Sequence, residues 1–321
     1  MACAVPRRRY PMGGSLPPVA EIRHLPMAVT FQSIRSGSSA NCLLLRNGET
    51  VLLIDVGFPT QRECRAALEP VLPAVGGILI SHLHGDHVVG LLGLLQTMNL
   101  LGREEKLEVY GPKGIRDFLE AGVDHSIAEL KFPLKVSEVK GGIIVREQNF
   151  KVRARKVRHS IPTFAYSFEE RERPGKFDVE AALKLGVPKG PLWGRLQQGK
   201  SVKLPDGRII KPEQVVGPPR PGLKIVYSGD TKPCQALLQL ARNADILIHE
   251  CTFDDELAER AEAEFHSTPS GVAQLALKAR VKRLILTHIS TRYRDASLLA
   301  EQARKIFPET LAAEDFLKIE L

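Results

Sequence analysis

The chain repeatedly ends a short apolar run in an acidic or imidazole side chain. Val51–Ile54 runs into Asp55, Gly77–Ser81 into His82, Ile225–Gly229 into Asp230, Ile246–Ile248 into His249 and Glu250, and Leu284–Thr287 into His288. Such runs are far shorter than the roughly 18–20 apolar residues of a membrane-crossing helix, so a membrane-embedded chain is excluded. Their near-continuous hydrophobicity reads as strands buried on both faces, which requires a covering of helices. Helical spacing fills the gaps. Val88–Met98 is apolar almost all round and reads as a buried helix, Pro269–Arg280 starts after the capping candidates Ser267 and Thr268, and Asp295 caps a helix reaching about Ile306. The pattern predicts an α/β core in two stretches, roughly 28–165 and 222–321. Strand ends along one edge of such a sheet are where a rigid scaffold meets free loops, and where chemistry is placed.

Composition adds a location for charge. The 321 residues are 43% hydrophobic and 26% charged, which excludes global disorder, and the net charge is +8. An excess of this sign attracts polyanions. Between Arg171 and Arg220 eleven Lys and Arg face five Asp and Glu, so this stretch holds a net +6 of the total. It is also dense in Pro and Gly, with the single Trp193 near its middle, and reads as an inserted arm at about 169–221 leaving a domain that spans 27–321. Residues 1–26 carry Arg7, Arg8 and Arg9 and several Pro and Gly, with no acid before Glu21; they read as a disordered basic tail, either a transit peptide or, the preferred reading, a non-essential extension. Five cysteines without a C-x-x-C pair argue against a disulfide framework or a zinc ribbon and suit a reducing, cytoplasmic compartment.

His82–Leu83–His84–Gly85–Asp86–His87 places three imidazoles and a carboxylate directly after a strand. These are the donors that divalent metals of zinc type prefer, and Gly85 allows neighbouring side chains to converge. With His159, Asp230 and His288 the donors suffice for two ions.

The hexapeptide resembles the H-x-H-x-D-H hallmark of the metallo-β-lactamase superfamily, and Asp55, His159, Asp230 and His288 follow in the order of its other motifs. The resemblance implies a four-layer αββα sandwich with metals at one edge and a small protruding exosite arm. Further segments resemble ribonuclease Z, the tRNA 3′-processing endoribonuclease family: Tyr227–Ser228–Gly229–Asp230–Thr231, His249–Glu250–Cys251–Thr252, Phe265–His266–Ser267–Thr268, and Ala312–Ala313–Glu314–Asp315–Phe316. Gly190–Pro191–Leu192–Trp193–Gly194–Arg195 resembles the exosite with which that family grips tRNA.

Carried over, the resemblance implies that His82, His84 and His159 hold one Zn2+, that Asp86, His87 and His288 hold a second, and that Asp230 bridges them, with Mn2+ or another divalent metal as a substitute. It makes Asp86 a proton acceptor, His266 the group that protonates the leaving 3′ oxygen, and Glu250 the residue that orients His266. Asp55 reads as a residue supporting the ligand loop rather than a ligand. Gly190, Pro191, Trp193 and Arg195 would contact substrate, although Trp193 reads equally well as an anchor of the arm. The implied activity is zinc-dependent removal of the 3′ trailer from precursor tRNA after the discriminator, leaving a 3′-OH and a 5′-phosphate, by a homodimer. The alternative is a phosphodiesterase or nuclease of the same fold acting on other RNA or DNA. One stretch departs from the family: Ser36–Gly37–Ser38–Ser39–Ala40–Asn41–Cys42 is closer to other nucleic-acid hydrolases of the superfamily, and Asp55–Val56–Gly57–Phe58–Pro59–Thr60–Gln61 matches only in part, which leaves the reading of the RNA 3′ end open.

Overall fold

The computed structural model describes residues 29–38, 41–57, 68–126, 129–173 and 175–321; the expectations for the tail 1–26 and for Phe58–Gln61 lie outside these. The first half lays down β1 (Val29–Arg35), β2 (Cys42–Asn47), β3 (Thr50–Ile54) and β4 (Val75–Leu79), then helices α1 (Gly85–Val88) and α2 (Gly90–Leu100). β5 (Leu107–Gly111), α3 (Ile115–Ser126) and β6 (Leu134–Glu138) follow. Next come β7 (Gly142–Arg146), β8 (Phe150–Lys156) and β9 (Phe164–Glu170). After the arm, β12 (Lys224–Tyr227), α6 (Gln235–Ala241), β13 (Ile246–Glu250), α7 (Ala258–Ala263), α8 (Pro269–Ala279), β14 (Arg283–Thr287), α9 (Ser297–Arg304), β15 (Thr310–Ala312) and β16 (Lys318–Glu320) complete the chain.

These strands form two seven-stranded mixed sheets, in the orders β16-β1-β2-β3-β4-β5-β6 and β15-β14-β13-β12-β9-β8-β7. Alternation sorts their side chains. Phe31, Leu43, Leu45 and Ile54 of one sheet meet Phe150, Tyr166, Ile225 and Ile248 of the other in a buried layer between them. The opposite face of the first sheet packs on α2 and α3 through Leu91, Leu94, Ile115 and Leu119; that of the second packs on α6, α8 and α9 through Leu237, Val272, Ala276 and Leu299. The four-layer αββα order expected from the resemblance is present. Each buried aliphatic or aromatic side chain contributes about 1.5–3 kcal/mol relative to exposure, so the central layer is the main source of cohesion between halves.

Some local expectations change. The helix expected at Val88–Met98 is not buried all round: α2 buries Leu91, Leu94, Leu95 and Met98, while Val89 and Leu100 face solvent, because only one side meets the sheet. Thr268 occupies the N-cap position of α8 without a side-chain cap bond, and the Ser267 hydroxyl donates instead to Thr231 O at 2.6 Å. Ala296 rather than Asp295 is the N-cap residue of α9; Asp295, one position earlier, accepts from the Ser297 amide through Oδ1 at 2.8 Å, and α9 ends at Arg304 instead of about Ile306.

The arm leaves after β9 and returns before β12. It holds α4 (Val179–Lys184), α5 (Pro191–Gln197) and a two-stranded hairpin of β10 (Val202–Lys203) and β11 (Ile209–Ile210). Ala182, Val187, Leu196, Val202, Leu204, Ile210 and Val215 form an apolar cluster separate from the others. Its neck is a pair of antiparallel bridges, Arg173 with Arg220 and Phe177 with Val216. A Cβ on Gly175 would lie 1.8 Å from Gly217 O, so the two chains cross as bare backbone.

Candidate metal centre

The expected donors converge where the two halves meet at one edge. His82, His84, Asp86 and His87 come from the β4–α2 connection, His159 from the β8–β9 loop, Asp230 from the end of β12 and His288 from the end of β14. Among the described residues four groups have ligand atoms close enough to share an ion. Two consist of the expected donors, His82 with His84 and His159, and Asp86 with His87, Asp230 and His288, while the other two draw in His266, with His159 and Asp230 or with Glu250 and His288.

In the first group, His84 Nδ1 lies 3.1 Å from His82 Nε2 and 3.2 Å from His159 Nε2. No arrangement of protons on three converging imidazole nitrogens gives each one a partner, whereas a cation accepts all three lone pairs. In the second, His288 Nε2 is 3.2 Å from both Asp86 Oδ2 and Asp230 Oδ2, and His87 Nε2 is 3.2 and 3.5 Å from the same atoms. His87 Nε2 and Asp230 Oδ1 are buried without a hydrogen-bond partner. Leaving such atoms unsatisfied costs about 1–3 kcal/mol each, a penalty that a bound divalent cation removes. The donor set therefore fits metal.

Four of the five donor imidazoles are tethered from behind, whereas His84 turns its own Nδ1 towards the centre. His82 Nδ1 meets Ser81 Oγ at 3.0 Å, His87 Nδ1 meets Asp55 Oδ2 at 2.8 Å, His159 Nδ1 meets Phe265 O at 3.2 Å, and His288 Nδ1 meets Thr252 Oγ1 at 2.8 Å. A tethered Nδ1 fixes the ring and leaves Nε2 for the centre. Asp55 also accepts from the Ser81 amide (2.6 Å), Ser81 Oγ (2.8 Å) and Tyr227 Oη (2.8 Å). All its contacts are to protein groups behind the donors.

Electrostatics follow from this crowding. Burial and then the charge of His87 hold the His82 imidazole well below its ordinary range. Burial alone would also lower His87, yet Asp230 and Asp55 outweigh it and raise that imidazole well above the usual range. Asp86, despite burial, is lowered by hydrogen bonds from His288 and His87. The same carboxylates that hold a proton on His87 would hold a cation in its place.

Beside the donors lies a second pair. His266 Nδ1 is 3.0 Å from Glu250 Oε1, and its ring stacks 5.4 Å from that of His288. Against the effect of burial, the bond to Glu250 raises the His266 imidazole. Glu250 projects towards the site, while neighbouring His249 is buried with Nδ1 2.7 Å from Glu250 O. Local backbone strain concentrates here: Asp55, Phe265 and His288 all have left-handed φ, at 58°, 62° and 55°. Each such residue costs about 1–3 kcal/mol, offset by the surrounding bonds.

Close backbone approach positions the ligand loop. Val56 N donates to His87 O at 2.7 Å and Gly90 N to Val56 O at 2.9 Å, and a Cβ on Gly90 would sit 2.4 Å from Gly57 O.

Comparison with known proteins decides the family. The metallo-beta-lactamase superfamily model matches residues 35–227, and a beta-lactamase superfamily domain model matches 214–289. Ribonuclease Z of Methanosarcina mazei is 44% identical over 272 residues, covering 84% of this chain and 88% of that protein. Ribonuclease Z of Methanothermobacter thermautotrophicus is 43% identical, covering 92% and 97%. The chain belongs to the ribonuclease Z family. Human tRNase Z, short form, has a similar structure, with TM-score 0.66 and 27% identity over 90% of this chain and 98% of that one. As a ribonuclease Z family member the chain is a metal-dependent endoribonuclease, a hydrolase.

In this family member the arm residues stand apart from the metal edge. Among the described residues, the hydrogen bonds of 177–216 stay within the arm or reach its neck. Gly190, at φ 150°, precedes α5, and Pro191 and Arg195 are exposed along that helix. Trp193 is half-buried: its indole N–H donates to Val187 O at 3.1 Å, and its ring lies 5.1 Å from Phe177. Both its polar atom and one ring face are thus committed to the arm's own packing. Ser81, Tyr227 and Thr252 were not expected to serve the site. A hydroxyl one residue before a ligand, or two after an acid, at a strand end was the available signal for Ser81 and Thr252.

Proposed function

We propose that this family member is a zinc-dependent endoribonuclease that removes the 3′ trailer from precursor tRNA. The observation that carries the reading is the juxtaposition of two metal-competent donor groups with the His266–Glu250 pair on a single edge. His82, His84 and His159 would hold one ion and Asp86, His87 and His288 the other, with Asp230 available to both, while Asp55 positions His87. When bound, the two ions supply charge neutralisation at the scissile phosphate and lower the proton affinity of the attacking water. Asp86 accepts a proton from that water. His266, oriented through Nδ1 by Glu250, keeps its other ring nitrogen for protonating the departing 3′ oxygen, which yields tRNA with a 3′-OH and a trailer with a 5′-phosphate.

The arm, with Gly190, Pro191 and Arg195 on an exposed surface and Trp193 as its internal anchor, binds the body of the tRNA through its excess positive charge. A homodimer, with each arm serving the site of its partner subunit, completes the assembly; light scattering would return twice the 35.4 kDa chain mass. No helix among the described residues is long and apolar enough to cross a membrane. The deciding experiment incubates zinc-loaded protein with precursor tRNA with and without an encoded CCA and maps both product ends. Cleavage after the discriminator supports the reading. Turnover of DNA or small phosphodiesters with an intact precursor would replace it by the alternative hydrolase.

A further inference from the structure

The Thr252 hydroxyl, which tethers His288, has more polar neighbours than it can satisfy independently. Oγ1 lies 2.8 Å from His288 Nδ1, 2.9 Å from Glu250 Oε2, 3.1 Å from His266 Nδ1 and 3.2 Å from His288 O. The Thr252 amide adds a bond to Glu250 Oε2 at 3.0 Å, and the Thr231 amide one to Oε1 at 3.2 Å. A hydroxyl has one proton to give and two lone pairs to offer. Glu250 Oε2 and the His288 carbonyl can only accept, so the proton goes to the nearer atom, the carboxylate oxygen. One lone pair then accepts from His288 Nδ1–H, and the other faces His266 Nδ1, whose single proton is shared with Glu250 Oε1 at 3.0 Å.

We propose that Thr252 is a positioning residue that selects the tautomer of His288 and links the metal-bearing side chains to the Glu250–His266 pair. His288 is contested between two proton positions. Asp86 Oδ2 and Asp230 Oδ2, each 3.2 Å away, draw a proton to Nε2, whereas Thr252 Oγ1 at 2.8 Å draws it to Nδ1. Only the second leaves a lone pair on Nε2 for metal. Because the hydroxyl proton is directed to Glu250, Oγ1 has its lone pairs available to accept. The chain His288 Nδ1–H to Thr252 Oγ1–H to Glu250 Oε2 therefore runs in one direction.

The other half of the molecule contains the same device. Ser81 Oγ donates to Asp55 Oδ2 at 2.8 Å and stands 3.0 Å from His82 Nδ1, giving imidazole, hydroxyl and buried carboxylate in the same order. Asp55 follows a strand of the first sheet and Glu250 ends one of the second. Each carboxylate also holds a second imidazole, and the difference lies in which: Asp55 holds His87, another donor, whereas Glu250 holds His266, so in the second half the relay reaches the acid as well as the metal ligand.

This inference rests on the two-ion reading above. Its test uses the full chain as wild type, Thr252→Val and Thr252→Ser, each stripped and titrated with Zn2+ alone, followed by steady-state cleavage of precursor tRNA. For Thr252→Val the expected result is loss of about 10- to 100-fold in affinity for one ion and not the other. It also includes a kcat lowered about tenfold or more, with KM unchanged. Thr252→Ser restores both. Wild-type affinity for both ions in Thr252→Val, or a serine variant as impaired as the valine one, overturns the proposal. Should the valine variant fail to fold, a histidine-selective nitrogen spectrum of the zinc-loaded wild type decides: a hydrogen-bonded proton on His288 Nδ1 supports it, and a bare Nδ1 overturns it. If wild type binds zinc but leaves precursor tRNA intact, the substrate reading fails while the titration still judges Thr252.

Discussion

The metal edge and the arm solve opposite problems. At the edge, the side chains arrive from strand ends far apart in sequence, and four of the donor imidazoles have a partner for the nitrogen turned away from the centre. Asp55 alone takes four hydrogen bonds, and it is one of three left-handed residues at the site, with Phe265 and His288. The arm spends little on such closure. Its apolar cluster is drawn from residues 177–216, its hydrogen bonds are local, and its connection is a two-chain neck. Chemistry needs atoms fixed to within a fraction of an ångström, which a packed sheet edge supplies. A polyanion needs only charge presented at roughly the right place, which a small tethered unit supplies.

Substitution at the two regions should separate these demands. The largest effect is expected for Asp86→Ala. Losing several kcal/mol of charge stabilisation corresponds to at least about a thousandfold in kcat. Single-turnover cleavage of bound precursor tRNA measures it, and binding of the RNA should survive. Replacing 175–217 by a short linker should raise KM for precursor tRNA about 10- to 100-fold and flatten its salt dependence, yet leave hydrolysis of a small chromogenic phosphodiester unchanged. Equal loss on both substrates would mean that the arm supports the centre and would break the contrast.

Gly90→Ala probes the edge without touching a donor. Its added carbon collides with Gly57 O, and the expected cost is about 1–3 kcal/mol of stability with weaker zinc binding, read by thermal unfolding and zinc titration. Least consequential for chemistry is Leu196→Ala in the arm's core. It should speed hydrogen exchange in 177–216 and leave zinc affinity and small-substrate turnover unchanged; altered exchange at β13 or β14 would show that the two regions are coupled.

His82 with its neighbours, Asp230 and His288 were legible because they sit at or just after short apolar runs, His159, after Lys156–Val157–Arg158, only through the resemblance, and the layers because runs buried on both faces demand helices on the outside. What tethers the donors was hidden. Ser81 bonds Asp55 across 26 positions, and Thr252 bonds His288 across 36, and periodicity carries no record of such closures. The helix at Val88–Met98 misled because apolar residues occupy its solvent side too, at Val89 and Leu100. Within the arm, frequent Pro and Gly signalled turns and masked a core assembled from single apolar residues such as Ala182, Leu196 and Ile210. Trp193 was ambiguous for a physical reason: the same flat ring suits a base or a phenylalanine, and only the position of Phe177 distinguishes them.

The seam between the halves has a consequence for how the enzyme is made. His82 through His87 leave the ribosome early and His288 late, and both groups made of the expected donors draw on both sheets. A nascent chain that stops short of residue 288 presents an incomplete second group, however well its first sheet has folded. Metal loading at that group thus reports that synthesis has passed β14, and an RNA in the same compartment is spared the attentions of a half-built nuclease.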